Sequence, residues 1–319
     1  EATEEGLIEA PVGVLIGNPP FESSLTTPAA KRAYDAYVKQ HGKLADQQIA
    51  YLFLHEAMGI TAKSGVLSMI QPSGFLYNQH AGDFRANFFK RWNVREILDF
   101  VSVRGLFKKG EADPKVVVVV AVAEPARPAS KLLHTVFRRN GRANAEQGFE
   151  IDYYDLHRVP HAALSGNSDI WRANLLGGER LLTFVQRLRG FRTLGHYAAE
   201  RQWNSGEGYI AGQKGISRPA AHIVGQQLLP TKALSATGLN RSALTKVPKA
   251  PIKDPKSEAR FTPPLLLVKE HQDLYNAMWE ESYLTYKHEI VGFAAPKKDL
   301  KRLRQVRDWI ANNLPALQA

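Results

Sequence analysis

Blocks of apolar and polar residues along the first 125 positions predict an α/β fold. Apolar runs of strand length lie at residues 12–16, 65–70, 94–101 and 115–122. Two segments, residues 45–62 and 82–92, instead repeat apolar residues at helical spacing. Alternation of strands and helices predicts parallel crossovers, with an antiparallel pair at the end of the unit. The polar stretch at residues 22–43 predicts a loop with a partly helical turn.

The pattern changes after Pro125. Strand-like patches at residues 131–137 and 149–154 indicate an edge extension of the sheet, and residues 178–189 form a predicted helix. From there to about Pro264 the chain is rich in Gly, Pro, Ser and Lys, which is typical of a loop-rich module. A strand at 264–269 and a basic amphipathic helix at 299–314 follow. We therefore predict three regions: a catalytic half-domain (1–125), a connector or edge extension (126–177) and a target-recognition region (178–319).

Charge adds a candidate partner to this architecture. The formal net charge is +11, and basic residues thicken in the second half of the chain. Such a charge favours a polyanion, most simply nucleic acid, although a basic protein without a special partner is the alternative. No apolar run reaches the roughly 20 residues needed to span a bilayer, and no signal peptide is visible. We expect a cytoplasmic protein without a membrane partner.

Cysteine is absent, and the ten histidines are scattered. The absence of cysteine excludes disulfides, zinc ribbons and a thiol nucleophile. His157 and His161 are four residues apart, but Pro160 between them argues against a helical metal pair. We predict no metal site.

The string Asn18-Pro19-Pro20-Phe21 is the strongest candidate for chemistry. It follows the first predicted strand, at the place where open α/β sheets put their ligand crevices. Asn-Pro-Pro is also good turn chemistry after a strand, so a purely structural role is the alternative.

The motif and its surroundings resemble the amino-methyltransferases of restriction–modification and phage-defence systems, whose motif is [Asp/Asn/Ser]-Pro-Pro-[Tyr/Phe/Trp]. The segments IGNPPF, ADQQIAYLFLHEAM, GVLSMIQPSGFL, FRANFFKRWNVREILDF and KVVVVVAVA follow the order of that family's middle motifs across residues 12–124. The resemblance implies the C-terminal half of a class I methyltransferase (Rossmann-like) sheet, joined here to a mixed, loop-rich recognition region.

The resemblance also implies roles for the motif residues. The side-chain oxygen of Asn18 and the backbone carbonyl of Pro19 would accept the two hydrogens of adenine's exocyclic amine, which localises its lone pair for attack on a sulfonium methyl. Pro19 and Pro20 would stiffen the loop, and Phe21 would stack on a base flipped out of the duplex. Asn18 favours adenine-N6 over cytosine-N4 chemistry only as a tendency.

The expected cofactor is S-adenosylmethionine, but its Gly-rich motif is missing. Such enzymes carry this loop after their first strand, and no Phe-x-Gly-x-Gly string occurs here. The glycines at 206–208 and 212–215 are the nearest candidates, and neither group follows a buried strand. We leave the cofactor-binding residues unassigned and expect an N-terminal methyltransferase half, in the same polypeptide or in a separate chain.

Candidate DNA contacts interleave basic and aromatic residues in the second half of the chain. They are Arg201, Trp203, Tyr209, Lys214, Arg218 and Lys269. A solvated loop with a buried Trp is the alternative. The cations of the last predicted helix equally suit a DNA-binding surface or an ordinary solvated face.

The function predicted from these features is site-specific adenine-N6 methylation of double-stranded DNA within a restriction–modification or phage-defence system. A non-catalytic DNA-binding or specificity subunit that keeps the fold is the alternative. An RNA or protein-glutamine methyltransferase is a third, because the latter also use Asn-Pro-Pro-Tyr. The target sequence, the oligomeric state and any attached nuclease or helicase are not predicted.

Overall fold

The computed structural model describes residues 11–103, 114–138, 149, 151–164, 168–212, 217–270 and 273–318. The chain divides into two compact units, Glu1–Gly190 and Phe191–Ala319. No helix among the described residues is both long and apolar enough to cross a bilayer.

One six-stranded sheet organises the first unit. Its strands are β1 (Val12–Gly17), β2 (Thr61–Pro72), β3 (Asn93–Asp99), β4 (Val116–Val122), β5 (Lys131–Val136) and β6 (Leu156–Pro160). They lie in the order β1-β2-β4-β3-β5-β6. Strand β1 is parallel to β2, and β3 is parallel to β5, whereas β4 and β6 are antiparallel to their neighbours. The parallel strands β1, β2, β3 and β5 therefore all end at the same edge of the sheet.

The α/β class predicted from the sequence is confirmed, and the four predicted strands of the first 125 residues are present. Their spatial order has one feature that the pattern did not show. Strand β4 comes last of the four in the chain but lies between β2 and β3, antiparallel to both. Strand β5 then extends the sheet on the far side of β3.

Helices cover one face of this sheet. They are α1 (Pro28–His41), α2 (Ile49–Ile60), α3 (Gly74–Tyr77) and α4 (Gly82–Arg91), followed by α5 (Asp169–Leu176) and α6 (Glu179–Arg189). Side chains of α2 and α4 join Leu67 and Met69 of β2 in one hydrophobic core. Trp171 of α5 is fully buried in the same core and stacks on Phe89 at 5.7 Å between ring centroids.

The prediction of a mainly irregular segment at residues 22–43 is wrong. Helix α1 has 14 residues there. Thr27 caps it by accepting a hydrogen bond from the Ala30 amide at 3.1 Å, and Pro28 occupies the first turn. Tyr37 is its buried residue, and the rest of the helix is largely polar. An apolar stripe this weak does not predict a helix from the pattern of apolar positions.

The opposite face of the sheet is exposed at its β1 side. Val14 and Ile16 have 69% and 81% of their surface accessible, and Val66, which is paired with Val14, has 38%. Leu15 points the other way and packs against the core. Strand β1 is also an edge strand among the described residues, with β2 as its neighbour.

The division between the two units lies after Gly190. Helix α6 packs with α5 in the first unit, and Arg189 pairs with Asp169 at 2.5 Å. The start of the second unit thus lies 13 residues beyond position 178, where the sequence placed the start of the recognition region.

The second unit consists of short strands and long connections. Its strands are β7 (Asn204–Glu207), β8 (Ile210–Ala211), β9 (Gln227–Leu229), β10 (Leu234–Ser235), β11 (Gly238–Leu239), β12 (Thr245–Lys246), β13 (Ile252–Asp254), β14 (Leu265–Lys269), β15 (Asn276–Trp279), β16 (Thr285–Tyr286) and β17 (Ile290–Ala294). The largest sheet has the order β15-β14-β17-β7 and is antiparallel. The predicted strand at 264–269 is β14, and the predicted loop-rich, mixed character of this region is confirmed.

Three helices complete the second unit: α7 (Leu194–Glu200), α8 (Leu300–Asn312) and α9 (Leu314–Gln318). Helix α8 is the predicted basic amphipathic helix, and its buried residues are Leu303 and Ile310. These pack with Leu266 of β14 and with Trp203 in a small core on one side of the sheet. A second apolar cluster around Leu265 and Leu267 lies on the other side.

Candidate active site

The Asn-Pro-Pro-Phe motif lies at the carboxyl edge of the first sheet. Strand β1 ends at Gly17, and the motif begins at the next residue. A Cβ at Gly17 would lie 3.0 Å from Cε of Met69, so glycine lets the end of β1 pack tightly on β2. Sequence pattern and structure therefore agree on where the chain leaves the sheet. The site role of the motif remains a prediction.

Burial differs from residue to residue within the motif. The side chain of Asn18 is exposed, Pro19 is buried, Pro20 is exposed and Phe21 is half-buried. This alternation anchors the corner through Pro19 and leaves the Asn18 amide accessible to a ligand. The next residues are also held, because the Ile49 amide donates a hydrogen bond to the Glu22 carbonyl at 2.9 Å.

A strained turn lies beside this loop, immediately before α2. Asp46 and Gln47 have φ values of 53° and 49°, in the left-handed region that costs a non-glycine residue roughly 1–3 kcal/mol. Oδ2 of Asp46 accepts a hydrogen bond from Nδ2 of Asn78, which follows α3. The turn therefore connects the segment before α2 to the segment after β2. The apolar spacing of residues 45–62 predicts a continuous helix here, so the turn is a difference from the pattern.

Tyr51 is packed beneath the same turn. It is 2% exposed, and burial, together with the nearby Asp46 carboxylate, raises the pKa of its hydroxyl far above the ordinary value. Its ring stacks on Phe84 of α4 at 4.9 Å between centroids. The phenol therefore stays neutral at physiological pH and serves as a rigid support for the carboxyl edge.

A buried polar network supports the loops that follow β2 and β3. Asp99 ends β3, and its carboxylate accepts hydrogen bonds from the Tyr77 hydroxyl, from Nε2 of His134 at 3.1 Å and from the Val101 amide at 2.9 Å. Asn174 of α5 donates to Nδ1 of His134 at 3.2 Å. Burial and then Asp99 raise the pKa of Tyr77. These residues carried no sequence signal, because they are separated widely along the chain.

The two aromatic residues among the predicted DNA contacts, Trp203 and Tyr209, are buried in the second unit. Trp203 is 4% exposed, and its Nε1 donates to Oδ2 of Asp299 at 2.9 Å. Tyr209 is 2% exposed. Both aromatic rings are covered within the unit and present no open face for base stacking.

The remaining predicted contacts are cations. The Arg201 guanidinium lies over the ring of Tyr197 at 4.4 Å, and Arg218 is exposed. Lys269 is ion-paired with Asp273. Lys214 lies outside the described residues.

Positive charge is concentrated in the second unit, as predicted. Residues 191–319 hold 19 Lys and Arg against 11 Asp and Glu, so +8 of the formal net charge of +11 belongs to the second unit.

The glycines considered as a cofactor loop have packing roles. A Cβ at Gly208 would lie 2.0 Å from the Tyr286 carbonyl oxygen, and one at Gly206 would lie 2.5 Å from Nη1 of Arg260. Gly206 also has a φ of 134°. The space beside these glycines is filled by the protein's own atoms, so this segment does not fit S-adenosylmethionine. Positions 213–216, with Gly215, lie outside the described residues.

Two cavities are formed by other parts of the described chain. One, of about 360 Å³, lies in the second unit between the end of α7 and the start of α8. The other, of about 10 Å³, lies among aromatic residues of α1, α2 and α4, close to His55. The motif at Asn18 is at the surface of the first unit and lines neither of them.

Comparison with known proteins supports the predicted family over part of the chain. Residues 13–107 match the family model of the Eco57I restriction-modification methylase. This segment contains the Asn-Pro-Pro-Phe motif, and the resemblance stated from the sequence is confirmed there. A search of curated proteins found no match.

Solved structures of restriction–modification proteins are similar to this chain at low identity. The type IIL enzyme MmeI in complex with DNA is 9% identical, with 89% of this chain and 41% of that chain covered and a TM-score of 0.49. The type IIG endonuclease BpuSI is 14% identical, with 97% and 44% covered and a TM-score of 0.41. The M protein of the type I enzyme EcoKI is 13% identical, with 41% and 26% covered and a TM-score of 0.30. This chain spans less than half the length of each.

Proposed function

We propose that this chain supplies the base-holding half of an S-adenosylmethionine-dependent DNA adenine-N6 methyltransferase that serves a restriction–modification or phage-defence system. One observation carries the proposal: the Asn-Pro-Pro-Phe corner follows β1 at the carboxyl edge of the sheet, with Asn18 exposed and Pro19 buried. The family match over residues 13–107 supports it.

Asn18 and Pro19 would hold the amine of the extruded base. The Asn18 amide oxygen and the Pro19 carbonyl each accept one hydrogen of that amine, which draws the nitrogen toward a tetrahedral geometry and localises its lone pair. Because Pro19 is buried and ring-constrained, its carbonyl is positioned before the base arrives. The half-buried ring of Phe21 would stack on the base.

S-adenosylmethionine supplies the methyl group in this class of reaction. Gly206 and Gly208 do not form a cradle for it, because they are closed off by Arg260 and Tyr286. We therefore assign its binding to a partner half and derive no step through it.

The open side of β1 is where we place that N-terminal methyltransferase half, whether it belongs to the same polypeptide or to a separate chain. Strand β1 has one strand neighbour among the described residues. On one face of the sheet, Val14 and Ile16 are exposed by 69% and 81%. An unpaired edge and an uncovered apolar face together suit the addition of further strands and helices.

Double-stranded DNA is the substrate that best suits the charge. The second unit carries most of the net positive charge, which favours phosphate neutralisation over binding of a peptide. RNA and protein-glutamine substrates are separated from DNA by the assay below.

The experiment compares Asn18→Ala with the wild type in the protein joined to its N-terminal half. Methyl incorporation is measured into duplex DNA, RNA and protein, and N6-methyladenine is quantified after digestion of the DNA. We expect Asn18→Ala to lower kcat by about 10²–10³, the range found when one preorganised polar contact to a developing charge is lost. Asn18→Asp, which keeps an acceptor oxygen, should retain more activity than Asn18→Ala. Ser23→Ala, an exposed change in the same loop, is the matched control. Undiminished activity of Asn18→Ala contradicts the proposal.

The second candidate function is a non-catalytic DNA-binding or specificity subunit. It is favoured by one observation, that Gly206 and Gly208 are closed off by protein packing. Calorimetric titration with S-adenosylmethionine, with and without the N-terminal half, separates the two. Binding that requires both halves supports the methyltransferase, whereas DNA binding without any cofactor binding supports the specificity subunit.

A further inference from the structure

The larger cavity belongs entirely to the second unit and joins two segments that are distant in the chain. Its volume is about 360 Å³, many times the roughly 30 Å³ of one water molecule. The lining residues are Glu200, Arg201, Gln202, Lys298, Asp299 and Arg302. We call this cavity the α7–α8 cleft.

The acidic residues that line the α7–α8 cleft already have hydrogen-bond or ion-pair partners, so positive charge remains in the cleft for a ligand. Asp299 accepts hydrogen bonds from Trp203 Nε1 and, at 2.9 Å, from Nη1 of Arg302. Glu200 is ion-paired with Arg192. Lys298 is exposed and has no ion pair with another described residue.

Arg201 brings a buried donor that lacks a partner. Its Nε is enclosed and forms no hydrogen bond with any described residue. The guanidinium is held in place over the Tyr197 ring and is close enough to Asp299 to lower the pKa of that carboxyl, after the larger effect of the Trp203 hydrogen bond. Because that Nε has almost no accessible surface, Arg201 acts on a ligand in the cleft through its positive charge.

Helix α8 begins at the same place, after a 3-10 turn in which the Leu300 amide donates to the Lys297 carbonyl. It is 13 residues long, and Asp299 at its N-cap makes no side-chain capping hydrogen bond. The first amides of a helix favour anions, yet Lys297, Lys298, Lys301 and Arg302 surround this end. Asp299 is the acid among these four cations, and its carboxylate already accepts from Trp203 and Arg302, so this end of the helix keeps a net positive charge.

We propose that the α7–α8 cleft binds one phosphate group of the DNA backbone. The proposal rests on DNA being the substrate under the proposed function and adds to it a specific contact. Arg201 and Lys298 touch the phosphate at the N-terminal end of α8. Trp203 is then a positioning residue that fixes Asp299, and through it Arg302, instead of a base-stacking residue.

The test measures binding of duplex DNA by fluorescence anisotropy over a series of salt concentrations, using the protein joined to its N-terminal half. Arg201→Gln and Lys298→Gln should each raise Kd by about 3–10-fold and reduce the slope of log K against log salt by about 1. Lys246→Gln, an exposed cation of β12 outside the cleft, is the matched control. The proposal is overturned if the cleft variants have the same Kd and the same salt slope as the wild type. It is also overturned if their affinity for DNA falls no more than that of Lys246→Gln.

A second readout identifies the source of the phosphate. Inorganic phosphate is titrated while the NMR signal of the Trp203 indole N–H is followed, since this group bonds to Asp299 inside the cleft. We expect a shift in the wild type, no shift in Arg201→Gln, and competition between phosphate and duplex DNA. A phosphate shift without DNA competition overturns the assignment to DNA.

Failure of this proposal is distinguishable from failure of the proposed function. The cleft is tested by DNA affinity, and the methyltransferase by product formation in Asn18→Ala. Normal methyl transfer with unaltered affinity in the cleft variants rejects the cleft alone. Normal cleft behaviour without product in the wild type rejects the methyltransferase alone.

Discussion

Nε2 of His134 lies 3.1 Å from Oδ2 of Asp99, and neither side chain is exposed to solvent. Because Asn174 donates to the other ring nitrogen, the Nε2 proton points to the carboxylate. Tyr77 completes the set of side-chain donors to Asp99. A buried carboxylate is tolerated only when it is fully hydrogen-bonded, so this network holds the loops after β2 and β3 in one arrangement.

We predict that Tyr77→Phe destabilises the first unit by about 1–3 kcal/mol, because it removes one donor to the buried Asp99 carboxylate. Urea denaturation followed by circular dichroism measures the change. Tyr153→Phe, at a ring that is 80% exposed, is the control and should stay within about 0.5 kcal/mol of the wild type. Equal stabilities of the two variants would show that the Tyr77 hydroxyl contributes nothing.

A glycine in β17 should be irreplaceable for steric reasons. A Cβ at Gly292 would lie 1.8 Å from the hydroxyl oxygen of Tyr286, which is fully buried and donates to the Arg260 carbonyl. Gly292→Ala should therefore destabilise the second unit by about 1–3 kcal/mol through overpacking. Gly195→Ala in α7 is the matched control, since its nearest neighbour is 3.7 Å away. Thermal unfolding compares the two, and equal melting temperatures would refute the steric argument.

The apolar face of β1 should matter for assembly more than for folding. Replacing Val14 and Ile16 by Ser removes side chains that are already exposed by 69% and 81%, so the isolated chain should keep its fold. Its affinity for the N-terminal half should fall by about tenfold or more, because each side chain would be buried there. Size-exclusion chromatography and calorimetry measure the two effects. Tyr153→Ser, next to β6 at the opposite edge of the sheet, is the control. If the Val14 and Ile16 variant binds the N-terminal half as tightly as Tyr153→Ser does, the β1 face is excluded as the docking surface.

Acid should destabilise the first unit through His55. Burial lowers the pKa of His55 below its ordinary value of 6.5, and the positive charges of His41 and Arg91 lower it further. The folded state therefore favours the neutral ring. Its stabilising contribution is fully present above the unfolded pKa and is lost as pH falls through the folded pKa.

The check is urea denaturation of the wild type and of His55→Gln at about pH 7.5 and about pH 5. The wild type should lose more unfolding free energy on acidification than His55→Gln. Part of the loss should remain in the variant, because burial also lowers the pKa of His157. An identical loss in both proteins would remove His55 as a cause.

The features that could be predicted from the sequence are those set by the strand, helix and turn preferences of neighbouring residues. A β-branched run such as residues 115–122 forms a strand in almost any context, and Asn-Pro-Pro after an apolar run makes a turn wherever it occurs. The four strands of the first 125 residues, the α/β class, the position of the motif and the loop-rich second half could therefore be predicted from residues close in the chain. The strand-like patch predicted at 149–154 forms no strand among its described residues, and β6 follows it at Leu156–Pro160. Helix α1 escaped prediction because its evidence is a single Thr27–Pro28 start signal before a polar sequence.

The amino-acid sequence by itself determined the Asn18–Phe21 corner, the strand that leads into it and the concentration of positive charge after residue 190. Only the tertiary structure decided that β4 lies between β2 and β3, that Tyr77, Asp99, His134 and Asn174 meet, and that Trp203 bonds to Asp299 instead of facing a base. The partners in that last pair are 96 residues apart. Contacts over such separations depend on how whole elements pack, whereas strand and turn preferences act between neighbours in the chain.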